Sequence, residues 1–203
     1  MLSIQRMKLL NGTEFSLALA PGQTVVIGGP NGSGKSLFLK SAALLTRATW
    51  ESFRFQQQDI AAWQAQQYRR HVLYVPPQPL DTSGTVANYF QWPWQLGVRA
   101  QHVPAPEYQV ILESEGYWTR DFQRLSSGEK QFVQLIRALA LAPSVLFLDE
   151  ALGHMDQARL SRSEELLLEF QARTQAALCL ISHSASQAER LQGTSVSFSA
   201  SGG

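Results

Sequence analysis

The sequence predicts an α/β fold whose sheet is mainly parallel and carries helices on both faces. Three observations lead there. Val145-Leu146-Phe147-Leu148 and Ala177 to Ile181 are continuous apolar runs, the pattern of strands buried on both sides. Helical stretches separate them, with Gly128 to Leu141 clearly amphipathic and Ser161 to Thr174 a second helix. A short β-branched strand, Thr24 to Ile27, runs into the glycine-rich turn Gly-Pro-Asn-Gly-Ser-Gly-Lys-Ser at 29–36, after which 37–45 continues as a helix. Strands alternating with helices make a parallel sheet.

Shorter elements complete the order. Ser16 to Leu19 alternates and leads through Pro21-Gly22 toward the glycine-rich turn, and Ser52 to Phe55 alternates as well. Ile60 to Tyr68 is glutamine-rich and helical in pattern, and 71–75 is a strand closed by Pro76-Pro77. From Asp81 to Arg124 the character changes to prolines, aromatics and short helical segments such as Glu107 to Ser114, which reads as a helical insertion. Thr194 to Phe198 alternates, and the small, polar 199–203 reads as a frayed tail.

Composition narrows the function classes. The 203 residues fit one domain with a small subdomain. A net charge of +1 with scattered Lys and Arg gives no nucleic-acid footprint. No apolar run reaches the roughly 18 residues that span a bilayer. The start of the chain lacks the apolar core of an export signal, and the single cysteine, Cys179, cannot form an internal disulfide and reads as a buried small hydrophobe. The expectation is a cytoplasmic chain.

The turn at 29–36 has the parts of a nucleotide phosphate cradle. Gly29, Gly32 and Gly34, with Pro30, Asn31 and Ser33 between them, let backbone N–H groups converge on a phosphate. Lys35 reaches the β- and γ-phosphates, the Ser36 hydroxyl can ligate Mg2+, and Leu37 opens the helix whose N-terminus faces the anion. The strand 145–148 ends in Asp149-Glu150, two carboxylates at the carboxyl edge where such sheets bind ligands. Asp149 can hold Mg2+, and Glu150 can deprotonate the attacking water.

Before the amphipathic helix stands Leu125-Ser126-Ser127-Gly128-Glu129. Here the chain resembles the ATP-binding subunits of ABC transporters. The matches, in the family's order, are the phosphate loop at 29–36, a Gln loop near Gln78, the signature at 125–129, the Asp149-Glu150 pair, a D-loop ending in Asp156, and the switch histidine His183. The resemblance implies a P-loop NTPase core at about 1–80 and 125–203, with a small antiparallel β part, and a helical subdomain at about 81–124. It also implies two copies packed head to tail, each ATP lying between the phosphate loop of one and the signature of the other.

Ser126, Ser127, Gly128 and Glu129 then bind nucleotide in trans, because a helix N-terminus favours negative charge. The resemblance gives Glu150 the role of catalytic base, assigns Asp149, Ser36 and Gln78 to Mg2+, and brings Lys35, Gln78 and His183 to the phosphates. Asp156 joins the nucleotide-binding set, and His154 lies near the dimer seam. A transmembrane permease would be the further partner, holding the chain at the inner face of the membrane.

A narrower resemblance, to the small ATPases of the Fet (YbbL-like) type of iron exporter, rests on Thr85 to Tyr89, Trp92 to Leu96 and 125–131. Tyr89, Phe90, Trp92 and Trp94 could line the groove that receives a permease helix, or pack internally. The sequence departs from the family in four places. Residues 1–12 contain no aromatic to stack on adenine, with Phe15 closer to the loop than usual. Gln78 sits one residue late, with Pro77 in its slot. Ser127 stands where glycine is common. Ala151 and Gly153 replace proline and serine in the D-loop, making it more flexible. A second reading keeps the ATPase but makes it a soluble ABC-type protein of iron-sulfur cluster assembly. A third, a nucleotide-binding regulator without turnover, is opposed by Glu150 and His183.

Overall fold

A computed structural model describes residues 1–79, 82–95, 106–182 and 184–198, without the side chains of Trp94 and Ala185. His183, assigned above to the phosphates, lies outside the described residues.

The predicted parallel sheet is present and has five strands. They are β3 (Thr24–Gly28), β6 (Val72–Val75), β7 (Val145–Asp149), β8 (Ala177–Ile181) and β9 (Thr194–Ser197), in the order β6-β7-β8-β3-β9. Side chains alternate along a strand, and here both sets are covered. Leu146, Leu148, Leu178 and Leu180 face one core; Val145, Phe147, Ala177, Cys179 and Ile181 face the other. That double burial is why the central strands read as unbroken apolar runs. Burial also pushes the Cys179 thiol up, consistent with an inert packing residue.

The second core lies under a four-stranded antiparallel sheet, β2-β1-β4-β5, made of β1 (Leu2–Lys8), β2 (Glu14–Leu19), β4 (Ser52–Phe55) and β5 (Gln58–Asp59). Strand β1 escapes sequence reading because its alternation breaks: the pairing with β2 shifts between Ile4 and Met7, and Arg6 has φ 45°. Helices α1 (Lys35–Ala42) and α2 (Ala65–His71) belong to this side. Two expectations shift here. The helix expected over 37–45 begins at Lys35, and the one expected over 60–68 is a 3-10 turn at Ile60–Ala62 followed by α2. Asp59 caps the start of the turn by accepting from Ala61 N–H, and Trp63 leaves it in an extended conformation.

The first core is closed by α3 (Val86–Gln95), α4 (Pro106–Ser114), α5 (Ser127–Ala140) and α6 (Gln157–Thr174); a short α7 (Ala185–Arg190) follows β8. Asp156 accepts from Arg159 N–H at 2.9 Å and so starts α6 four residues before the expected Ser161. In α3 the aromatic cluster divides. Tyr89 and Phe90 are buried, at 2% and 0% exposure, whereas Trp92 is 41% exposed. Tyr89 and Phe90 are therefore removed as partner-facing residues: Tyr89 stacks on Phe122 at 4.2 Å and Phe90 packs edge-on to Trp118. The Trp94 side chain is outside the described residues.

Pro93 lies inside α3 and has no N–H to give the carbonyl four residues back, that of Tyr89. Arg137 of α5 takes its place, donating to that carbonyl at 3.2 Å with its guanidinium 3.7 Å from the Tyr89 ring centroid. Replacing Arg137 with Met should cost about 2 kcal/mol, since it leaves a buried carbonyl unpaired. The loss should shrink in a Pro93→Ala background, where residue 93 regains an N–H. Calorimetric melting of the four proteins checks this, and equal losses in both backgrounds would refute the account.

Candidate nucleotide site and its family

The site grows from the way β3 ends. Gly29 has φ 139°, and a Cβ there would stand 2.7 Å from the Phe198 carbonyl, so only glycine lets the chain leave the strand beside β9. Gly34, at φ 107°, then starts α1 directly at Lys35. The Lys35 side chain, 5% exposed, folds back into the loop and donates to the carbonyls of Gly29 at 2.9 Å and Pro30 at 2.7 Å. The buried Ser33 Oγ has no hydrogen-bond partner among the described residues. Ser36 Oγ donates to Asp149 Oδ1 at 2.8 Å across 113 residues of sequence. The other carboxylate oxygen, Oδ2, accepts from the Tyr74 hydroxyl at 2.6 Å. Burial first, then the hydrogen bond and charge of Asp149, push the Tyr74 phenol far up, so it remains a donor at any working pH.

Glu150 follows β7 in a left-handed conformation, φ 50°, its N–H bonded to the Ile181 carbonyl at 3.2 Å. An open cleft of ≈ 610 Å³ is lined by Asn31, Gly32, Gly34, Lys35, Ser36 and Leu37 of the loop together with Asn11, Lys40 and Glu150. The loop and the carboxylate pair, far apart in sequence, therefore share one site. Phe15 does not contribute: its ring stacks on Phe198 at 4.3 Å and meets Phe38 edge-on at 4.9 Å. Gln78 is exposed and is not among the residues lining the cleft.

Residues 126–129 do not line it either. They begin α5, where Ser126 Oγ accepts from Glu129 N–H at 3.3 Å and Glu129 Oε2 accepts from Ser126 N–H at 2.8 Å, a closed capping box. Ser126 and Ser127 are exposed, and Gly128 is buried because the D-loop runs against it. A Cβ on Gly128 would lie 2.5 Å from the His154 carbonyl oxygen. Asp156 serves as the α6 cap and pairs with Arg159, away from the cleft.

Two residues with structural authority over the site escaped the sequence reading. Tyr74 is one. Gln131 is the other: 2% exposed, it donates to the Pro77 carbonyl at 2.8 Å, pairs with His154 Nδ1 at 3.0 Å, and accepts from His154 N–H at 3.0 Å. Its signal was a polar side chain on the apolar face of an amphipathic helix, which is buried only when hydrogen-bonded. Gly153 was expected to loosen the D-loop, yet its N–H bonds the Glu150 carbonyl at 3.1 Å and the next residue is held by Gln131.

A family model described as ABC transporter matches residues 13–153, a span holding the phosphate loop, the 125–129 segment and both carboxylates. The chain belongs to the ABC transporter family. It is 30% identical over 183 residues to the "Probable iron export ATP-binding protein FetA" of Escherichia coli (strain K12), covering 87% of this chain and 78% of that one. It is 33% identical over 177 residues to the "Taurine import ATP-binding protein TauB" of Pseudomonas entomophila (strain L48), covering 86% and 67%. Among solved structures, an ATP-binding subunit of an ABC transporter superposes with a TM-score of 0.79 at 22% identity, covering 94% of this chain and 82% of that one. A putative ABC transporter ATP-binding protein from Pyrococcus furiosus superposes with a TM-score of 0.78 at 17% identity, covering 97% and 96%.

As an ABC ATP-binding subunit, the chain is an ATPase of a transporter system, and relatives named for import and for export both occur. ABC ATP-binding subunits dimerise and work with transmembrane permeases. No helix among the described residues is long and apolar enough to cross a membrane.

In this ABC subunit Glu129 occupies a charged knot. The Arg120 guanidinium, at 2.8 Å, is the main reason its carboxyl is held at about 2 rather than 4.5, with the Ser126 backbone bond adding to it. A depressed carboxylate stabilises the fold above its ordinary pKa and stops doing so as pH falls toward the folded one. Glu129→Gln should therefore melt lower than wild type at pH 7, by roughly 0.5–1 kcal/mol since the Arg120 side chain is 42% exposed and solvent screens the pair. The gap should close between pH 4.5 and about 2. A gap that persists at pH 2 in thermal melts would rule out the ion pair as its source.

Proposed function

We propose that the cleft binds ATP together with Mg2+, and that hydrolysis occurs when a second copy brings its residues 126–129 over the phosphates. The observation that carries this reading is the convergence of Lys35, Ser36, Asp149 and Glu150 in one chain while the 125–129 segment lies outside their cleft. Lys35 meets the β- and γ-phosphates with a buried ammonium that, among the described residues, donates to the Gly29 and Pro30 carbonyls. Ser36 and Asp149 offer hard oxygen donors 2.8 Å apart, a fit for Mg2+. The family resemblance adds Gln78 as a further oxygen ligand, which from its exposed place outside the cleft would have to move inward to serve. When bound, the cation neutralises charge on the β- and γ-phosphate oxygens.

Glu150, at the cleft's edge, takes the proton of the water that attacks the γ-phosphorus, yielding ADP and phosphate. The exposed Ser126 and Ser127 and the first amides of α5 supply the partner's half, where the helix N-terminus favours the anion. The family resemblance assigns the γ-phosphate contact to His183, outside the described residues, and a place toward the dimer seam to Asp156 and His154. The domain comprises a core at about 1–80 and 125–203 and a helical subdomain at about 81–124. Glu150→Gln should keep ATP binding and lower turnover by at least about 100-fold. Steady-state phosphate release compared with nucleotide binding decides it, and equal turnover would remove Glu150 as the base.

The transporter would be a metal exporter, with this subunit on the inner face of the membrane. The FetA relative and the aromatic segment after Thr85 support that substrate; the TauB relative, similar in identity, marks taurine import as the competing one. With Tyr89 and Phe90 buried, the proposed permease contact falls to Trp92, together with Trp94, whose side chain is outside the described ones. Trp92→Ala should abolish co-purification with a multi-span membrane protein while leaving the melting temperature and ATP binding intact. Undiminished co-purification would exclude this residue as the contact.

A further inference from the structure

The Asp149 carboxylate takes a hydroxyl donor on each oxygen, and the nucleotide-binding loop supplies only one of them. Ser36 reaches Oδ1 at 2.8 Å; Tyr74 reaches Oδ2 at 2.6 Å from the neighbouring strand β6. The strands are parallel, with Tyr74 opposite Phe147. Side chains alternate, so Tyr74 and Asp149, two residues further along β7, share the face covered by α1. Tyrosine is long enough to span that diagonal and carries a proton at its tip. Phenylalanine would fill the same space and donate nothing.

Asp149 is 1% exposed, so each carboxylate oxygen depends on protein donors rather than water. Turning the carboxylate about its terminal bond would break both hydrogen bonds together. Ser36 has a single proton and gives it to Oδ1, which leaves its oxygen lone pairs to coordinate a cation. The ammonium of Lys40, a residue that lines the cleft, stands 6.0 Å from the Tyr74 ring centroid. We infer that Tyr74 is a positioning residue for the divalent cation: by holding Oδ2 it fixes Oδ1 and the Ser36 hydroxyl as one preformed pair of oxygen ligands. Outer partners of this kind change metal affinity by about 10–100-fold when removed.

The inference rests on the proposed Mg2+-ATP reading of the cleft. It is tested with the full chain as wild type, Tyr74→Phe, Tyr74→Leu and a Ser36→Ala control. Affinity for trinitrophenyl-ATP in EDTA is measured first, then Mn2+ binding with a non-hydrolysable ATP analogue by the EPR signal of free Mn2+. Both Tyr74 variants should bind the nucleotide without metal as wild type does and need about ten-fold more Mn2+ for half-saturation.

Three outcomes overturn the proposal. A shift in Tyr74→Leu but not in Tyr74→Phe would show that the ring packs and the hydroxyl does nothing. Loss of metal-free nucleotide binding in Tyr74→Phe would make the residue structural. Wild-type Mn2+ binding no better than Ser36→Ala would instead remove the Mg2+ reading of the cleft itself, and the inference with it.

Discussion

A carboxylate buried at the end of β7 is the constraint around which the site is organised. Asp149 lies on the covered face of a sheet whose central strands are buried on both sides, and among the described residues its two oxygens are met by hydroxyl donors. Those donors come from the first turn of α1 and from β6. The phosphate loop is therefore anchored to the sheet at the point where its helix begins. A shift of α1, β6 or β7 relative to the others would leave part of a buried charge unpaired.

One chain assembles this half of the site and presents the start of α5 elsewhere. The two regions are nonetheless in contact through the protein. Gly128 admits the His154 carbonyl, and Gln131 holds both the backbone and the ring of the same histidine, with Glu150 four residues upstream at the cleft. The residues proposed to serve a partner copy thus rest against the loop that leaves the Asp149-Glu150 pair.

The sequence made the chemistry more legible than the supports. The glycines, Lys35, Ser36, Asp149 and Glu150 are recognisable because phosphate binding demands particular residue types at fixed spacing, and the strands at 145 and 177 because double burial erases alternation. Tyr74 looked like one more residue of an apolar strand, since its role depends on a register that only pairing reveals. Strand β1 was lost to a bulge at Arg6. The aromatics after Thr85 were evenly balanced between surface and core because composition carries no direction; the helix sends Tyr89 and Phe90 inward and leaves Trp92 outside.

Helix α5 carries three polar side chains on its buried side at intervals of three: Gln131, Gln134 and Arg137. Each closes a backbone carbonyl in a proline-bearing segment, those of Pro77, Pro76 and Tyr89 respectively. Such carbonyls sit where the usual backbone donors are missing, and side chains of α5 take their place. The consequence is mechanical. The segment after β6 and helix α3 are pinned to the same rod by bonds that tolerate little sliding, so a push on either is carried by α5 as a whole. The helix works as a keel, and its forward end is the exposed pair Ser126-Ser127.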